Sequence, residues 1–172
     1  MLSKLKDTPL SNFDIMSKLN NKCNIVLYPD IHNYRTVDEL FGGFDGCVIL
    51  FESQPKYGHW VCITKHGNSV EFFNSYGGYP DDSLKKIDKQ FAKESKQDYP
   101  YLTKLLLNSR YDLFYNEFPF QKKCSKIKTC GRHCIVRILE KHLDIYDYKD
   151  KLDKLCQEYD CDYDDIVTIL TT

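Results

Sequence analysis

Along the chain the spacing of apolar residues changes several times, and each change predicts a different kind of element. Ser11, with Asp14 three residues on, forms a capping signature for a helix that uses Phe13, Ile15, Met16 and Leu19. Residues 1–10 carry Pro9 and little apolar periodicity, so no element is expected there. A short apolar run over 25–28 stops at Pro29. Residues 46–51 (G-C-V-I-L-F) are a continuous apolar run of strand length, and strand-like runs follow at 59–64 and 69–74. Between the last two, Lys65-His66-Gly67-Asn68 supplies Gly and Asn for a tight turn, which makes them an antiparallel hairpin.

Beyond Gly77-Gly78-Tyr79-Pro80 the period lengthens to that of a helix, with Asp81 and Asp82 placed to cap one through Leu84, Ile87 and Phe91. Pro100 precedes a shorter helix through Leu102, Leu105 and Leu106, and residues 111–115 return to strand character until Pro119 breaks it. From Thr129 a helix is expected whose broad apolar face is Ile135, Val136, Ile138, Leu139 and Leu143, the pattern of a buried helix. Two more follow, one through Leu152, Leu155 and Tyr159, the other capped by Asp162 and using Ile166, Ile169 and Leu170. The class expected is α+β, with a central, mostly antiparallel sheet and a helical C-terminal part. No repeat interrupts the chain, so a single domain is expected over 1–172: an N-terminal arm at 1–40, a core at 46–143 and the helical part at 144–172.

Composition narrows the functional classes. With 42% hydrophobic and 28% charged residues the chain lacks the signature of disorder. Lys plus Arg number 24 against 25 Asp plus Glu, so the net charge of −1 gives no global attraction to nucleic acid or an anionic membrane, and any basic site must be local. No apolar run approaches the ~18 residues of a membrane helix, and charges at Lys4, Lys6, Asp7, Asp14 and Lys18 speak against a secretory signal; no membrane partner is expected. The eight cysteines are then expected to be free thiols in a reducing, intracellular compartment. Cys124, Cys130, His133 and Cys134 do not match the paired spacing of zinc ligands, so no metal is expected.

Two segments carry candidate chemistry: Gly58-His59-Trp60 and Thr129-Cys130-Gly131. Cys130 falls at a predicted helix N-terminus, where the dipole and free N–H groups favour thiolate. Such a nucleophile needs a base, and the base needs a group that fixes its orientation. His59 on the first hairpin strand and Asn74 on the second are brought together by antiparallel pairing. Gln121, shortly before Cys130, can donate its amide N–H to an oxyanion beside a backbone N–H near the nucleophile.

In that order, His59-Trp60, Asn74-Ser75, Gln121 and Cys130-Gly131 resemble the clan CE cysteine proteases, a family that includes the adenovirus endopeptidase, the SUMO-type ubiquitin-like-protein proteases and the African swine fever virus polyprotein protease. The resemblance spans roughly residues 46–143, and the order differs from that of papain-like enzymes, where the cysteine comes first. It implies the family's fold, with the nucleophile at the N-terminus of a packed helix. It also implies the roles: Cys130 attacks, His59 is general base and then acid, Asn74 orients it, Gln121 lines the oxyanion hole, and Trp60 and Gly131 support the site. Two positions depart from the pattern: the third residue is Asn instead of the commoner carboxylate, and Thr129 stands where the ubiquitin-like proteases usually have Asp. The first departure leans toward the viral polyprotein branch.

The activity implied is a thiol endopeptidase cutting next to small residues, of Gly-Gly or Gly-X type, in viral capsid or core precursors during virion maturation. It would work in the host cytoplasm or a viral factory and be packaged in the virion. The alternatives are a deubiquitinating or SUMO-type isopeptidase and an inactive protease-fold binding module. No cofactor is required by this chemistry; DNA or a peptide is the candidate activator. Lys122, Lys123, Lys126 and Lys128, the densest basic run, are either a solvated loop or a polyanion contact.

Overall fold

The computed structural model describes residues 1–172. Five strands, β1 (Asn24–Leu27), β2 (Gly46–Gln54), β3 (Tyr57–His66), β4 (Ser69–Phe73) and β5 (Asp112–Tyr115), lie side by side in chain order. The inner strands β2, β3 and β4 pair antiparallel, as expected, whereas both edge strands pair parallel to their neighbours. Around them stand α1 (Leu2–Asp7), α2 (Asn12–Lys18), α3 (Val37–Phe41), α4 (Lys89–Glu94), α5 (Tyr101–Leu107), α6 (Cys130–Leu139), α7 (Ile145–Tyr159) and α8 (Tyr163–Leu170). The fold is α+β, and no helix is long and apolar enough to cross a membrane.

Strand alternation divides the interior. Val48, Leu50, Trp60 and Cys62 face one core, shared with α2, α6, α7 and α8. Cys47, Ile49, Phe51, Val61 and Ile63 face a second, shared with α3, α5 and the 3₁₀ turn Tyr28–Asn33. A strand covered on both faces reads as an unbroken apolar run, which is the pattern of residues 46–51.

Helix α6 is buried from Cys130 through Ile138, so its polar residues are paired inside the protein. Arg137 donates from Nε and Nη2 to the two Glu71 oxygens at 2.7 and 3.2 Å and also to the carbonyls of Glu140 and Leu143. The helix stops at Leu139, which is exposed, and Leu143 packs from beyond its end. In α8 it is Ile166 and Val167, not Ile169 and Leu170, that are buried.

Three further elements differ from expectation. The helix anticipated through Leu84, Ile87 and Phe91 is broken by extended backbone at Ile87 into a 3₁₀ turn (Asp82–Lys86) and α4, and Asp88 caps α4 through Phe91 N–H. Asp81 caps nothing there; its carboxylate accepts from Tyr28 OH at 2.7 Å and from Thr103 N–H and Oγ1 at 2.8 and 2.5 Å. Unexpectedly, residues 2–7 form α1, held by Lys6–Asp165 at 2.6 Å and by the Lys128 N–H donating to Lys6 O at 2.7 Å. Tertiary contacts supply what its sequence lacks in periodicity.

Two glycines allow the close approaches that shape the site. A Cβ on Gly58 would lie 1.8 Å from Phe51 O, so β2 and β3 can close up beside His59 only without a side chain there. Gly77 has φ +77°, and a Cβ there would sit 2.6 Å from Glu117 O, where the turn after β4 abuts the segment leading to Gln121.

Candidate active site

β4 pairs with β3 only from Cys62 onward, so β3 outruns its neighbour and His59 stands past the end of β4. Asn74, the residue after β4, turns into that gap, and its Oδ1 lies 2.8 Å from His59 Nε2. The same oxygen accepts the Tyr76 N–H at 2.9 Å, which fixes which end of the amide faces the ring. His59 Nε2 must therefore carry the proton, leaving Nδ1 as the basic nitrogen. Asn116, wholly buried, holds the backbone of Asn74 from both sides: its Oδ1 accepts Asn74 N–H at 3.0 Å and its Nδ2 donates to Asn74 O at 2.7 Å.

His59 is half-buried, and the ring of Tyr76 stacks on it at 4.8 Å and 19°. Desolvation pushes its imidazole down to about 4, outweighing the hydrogen bond to Asn74, which favours the charged form.

Cys130 is the first residue of α6 and only 7% exposed. Its sulfur is reached by the backbone N–H groups of Trp60 and Gly131 and by its own. Burial raises the thiol more than those donors lower it, so the preference for thiolate expected of a helix N-terminus is outweighed. Both shifts favour the neutral forms, thiol and imidazole. Trp60 lies against Gly131, its Cδ1 only 3.3 Å from where a Cβ would be, and its indole N–H donates to Leu10 O at 3.1 Å.

Gln121 is delivered to the same place by Ser75, whose backbone O accepts the Phe120 and Gln121 N–H groups at 2.8 and 2.9 Å. Ser75 Oγ donates to Gln121 Oε1 at 2.7 Å, and Gln121 Nε2 donates to Tyr76 OH and Ile127 O, both at 3.2 Å. Behind the nucleophile, Asp164 Oδ1 accepts from Thr129 Oγ1 at 2.6 Å and from His133 Nε2 at 3.0 Å, and Asp164 Oδ2 accepts Lys122 N–H at 3.0 Å. Burial raises this carboxyl, but the donors from His133 and Thr129 win and hold it below its usual range. A carboxylate thus reaches Thr129 from α8, although the chain has no Asp at 129.

His59, Trp60, Asn74, Gln121, Cys130 and Gly131 are thus gathered at one end of the sheet. The basic run is not one free patch: Lys122 pairs with Asp162 at 2.7 Å and Lys128 with Asp7 at 3.2 Å, while Lys123 and Lys126 are exposed. Sequence reasoning missed Tyr76, Asn116, His133 and Asp164 as parts of the site. Tyr76 follows Asn74-Ser75 closely enough to have been suspected; Asn116 and Asp164 carry no local signal. Beside His59 opens a cavity of about 180 Å³ lined by Phe51, Tyr76, Ser83 and Ile87, and on the far side of Trp60 a groove of about 610 Å³ lined by Leu10, Phe13, Ile25 and Leu27.

No family model matches the chain. It is 52% identical over 163 residues to "Uncharacterized protein V9" of the Sputnik virophage, covering 94% of this chain and 93% of the relative. Among solved structures it is similar to the African swine fever virus (ASFV) protease, with TM-score 0.44 and 18% identity over 78% of this chain. It is also similar to the C-terminal Ulp1 protease domain solved with Smt3, the yeast ortholog of SUMO, with TM-score 0.40 and 13% identity over 97% of this chain and 76% of that one. The chain spans 58% of the length of the ASFV protease.

Proposed function

The chain belongs to the family of the Sputnik virophage protein V9, and from the constellation at the end of its sheet we propose that it is a thiol endopeptidase. The observation that carries this reading is the 2.8 Å contact between His59 Nε2 and Asn74 Oδ1, which leaves Nδ1 free as a base, while Trp60, the residue after His59, packs against Gly131, the residue after Cys130. Asn74 carries no charge to stabilise an imidazolium, the imidazole is lowered and the thiol raised, so a preformed ion pair is disfavoured. His59 Nδ1 then takes the Sγ proton as sulfur bonds to the scissile carbonyl carbon and the carbonyl pair moves onto oxygen. When the oxyanion collapses, the C–N bond breaks and the leaving nitrogen receives that proton from His59. Water then gives a proton to His59 as its oxygen bonds to the acyl carbon; the C–S bond breaks, the carboxylic acid leaves and sulfur takes the proton back from His59.

Cys130 lies recessed beside Trp60 and Gly131, which favours substrates with glycine or another small residue at the scissile bond. The proposed substrate is a virion precursor polypeptide, in keeping with a relative that is a virophage protein. Lys123 and Lys126 are what the basic run leaves free for a polyanion, and a rate measured against salt with and without duplex DNA tests that contact. The central test is mass spectrometry after limiting iodoacetamide near neutral pH. Labelling of Cys130 despite its burial and raised thiol, weakened in His59→Ala and absent in Cys130→Ala, is the expected result, because His59 takes the proton as sulfur attacks; a Cys130 left unlabelled, or labelled equally in His59→Ala, would sink the reading.

A further inference from the structure

We infer that the Tyr76 hydroxyl is a catalytic oxyanion donor, held in place by Gln121 and interposed between that amide and the substrate; the inference rests on the reading of Cys130 as an acylating nucleophile. Gln121 has no hydrogen to spare. Ile127 O can only accept, which sets the amide's orientation: Nε2 gives its two hydrogens to Ile127 O and Tyr76 OH, and Oε1 accepts from Ser75 Oγ at 2.7 Å. In accepting from Gln121, the phenol keeps its own proton, for which the protein offers no acceptor.

Tyr76 is fixed at three further points, two of them on the residues the chemistry uses. Its ring stacks on His59, its N–H donates to the Asn74 oxygen that orients His59, and Lys86 Nζ lies 5.4 Å from the ring centre. Burial pushes the phenol up, so it stays a proton donor through the neutral range. The chain of donors is Gln121 N–H to Tyr76 oxygen, and Tyr76 O–H to the oxyanion, each bond polarising the next.

The step balances without an added group. As the C–S bond forms, the carbonyl π pair becomes an oxygen lone pair that accepts hydrogen bonds from Tyr76 O–H and Cys130 N–H. No proton passes to it, and Tyr76 remains a phenol. On collapse the pair returns to the carbonyl, the C–N bond breaks, and the leaving nitrogen takes the proton that His59 received from Sγ.

Tyr76→Phe keeps the ring and its stacking and removes only the hydroxyl. On a peptide amide ending in Gly-Gly-aminomethylcoumarin, kcat is expected to fall about a hundredfold with KM nearly unchanged, the scale of losing one oxyanion donor. Iodoacetamide alkylation of Cys130 should keep its wild-type rate, because displacement at a saturated carbon develops no carbonyl oxyanion. Hydrolysis equal to wild type overturns the inference, and so does faster hydrolysis, which would mean that the hydroxyl blocks Gln121. Alkylation slowed in step with hydrolysis also overturns it, since Tyr76 would then act through its stack on His59. A wild-type protein that alkylates at Cys130 but cleaves no peptide overturns the endopeptidase reading, and this inference with it.

Discussion

The two faces of the sheet are covered by cores of nearly equal size, 19 and 18 buried apolar residues, yet their polar contents differ sharply. The face under α6 holds His133, Arg137 and Glu71 and, behind Cys130, Asp164, all buried and each with an internal partner. The opposite face has little of this kind beyond Asp81 with Tyr28 and Thr103, and Gln97 with the backbone of Glu52. The difference follows from how the helices are used. α6 is buried almost all round, so every polar side chain on it must find a fixed partner, and a nucleophile at its first turn inherits that rigidity. α4 and α5 are short and partly exposed, and they contribute apolar cover. By alternation His59 shares the side of Val61 and Ile63, whereas Cys130 stands on the helix over the other face. The site therefore forms where the faces meet, at the open end of the sheet where β3 outruns β4.

The comparison breaks most sharply on activity. Cys130→Ala and His59→Ala should each lower peptide hydrolysis by about 10³-fold or more, with thermal midpoints lowered far less than by a large core truncation, because Cys130→Ala removes a single sulfur from the core and His59 stands at the open end of the sheet. Loss of folding in either variant would mean that the site is structural. Phe72→Ala, on the opposite face and 1% exposed, should do the reverse. A urea titration should show about 3–5 kcal/mol of lost stability, while the Cys130 alkylation rate of the folded fraction stays near wild type.

Asp164→Asn joins the two effects. It withdraws the charge on which Thr129, His133 and the Lys122 N–H converge, at about 2–3 kcal/mol by the worth of hydrogen bonds to charged groups. Because Lys122 follows Gln121 and Thr129 precedes Cys130, hydrolysis should slow as well. Stability lost with an unchanged rate would reduce the network to a structural brace.

Much of this was readable along the chain. The hairpin, the helix from residue 130 and the residues His59, Asn74, Gln121 and Cys130 all rest on local signals: a period of two, a Gly-Asn turn, and Cys-Gly ahead of an apolar helical stripe. What escaped depends on distant partners. Asp81 has the chemistry of a helix cap, and only the approach of Tyr28 and Thr103 shows it to be a buried acceptor. α1 has no stripe of its own and exists because Lys6 meets Asp165 and Lys128. Asp164 lies among many C-terminal acids, and nothing local marks it as the one that folds under Thr129. The parallel edges escaped for the same reason, since β1 and β5 are short and their direction is set by the segments that lead into them.

The smallest effect separates two titrating groups by sign. The His59 imidazole falls from 6.5 to about 4 on folding, so below pH 6.5 the unfolded chain binds a proton that the folded one refuses. Its contribution to stability is whole above pH 6.5 and declines as pH falls toward 4. Asp164, held below its ordinary 3.8, keeps its contribution above that value and loses it only below. Asp81 is raised by burial, so the folded state takes up its proton first and gains stability as pH falls through that raised value toward 3.8. Urea midpoints measured from pH 7 to pH 4 should therefore decline less steeply in His59→Gln than in wild type and more steeply in Asp81→Asn. Parallel curves for the two variants would show that these opposed shifts have no thermodynamic weight.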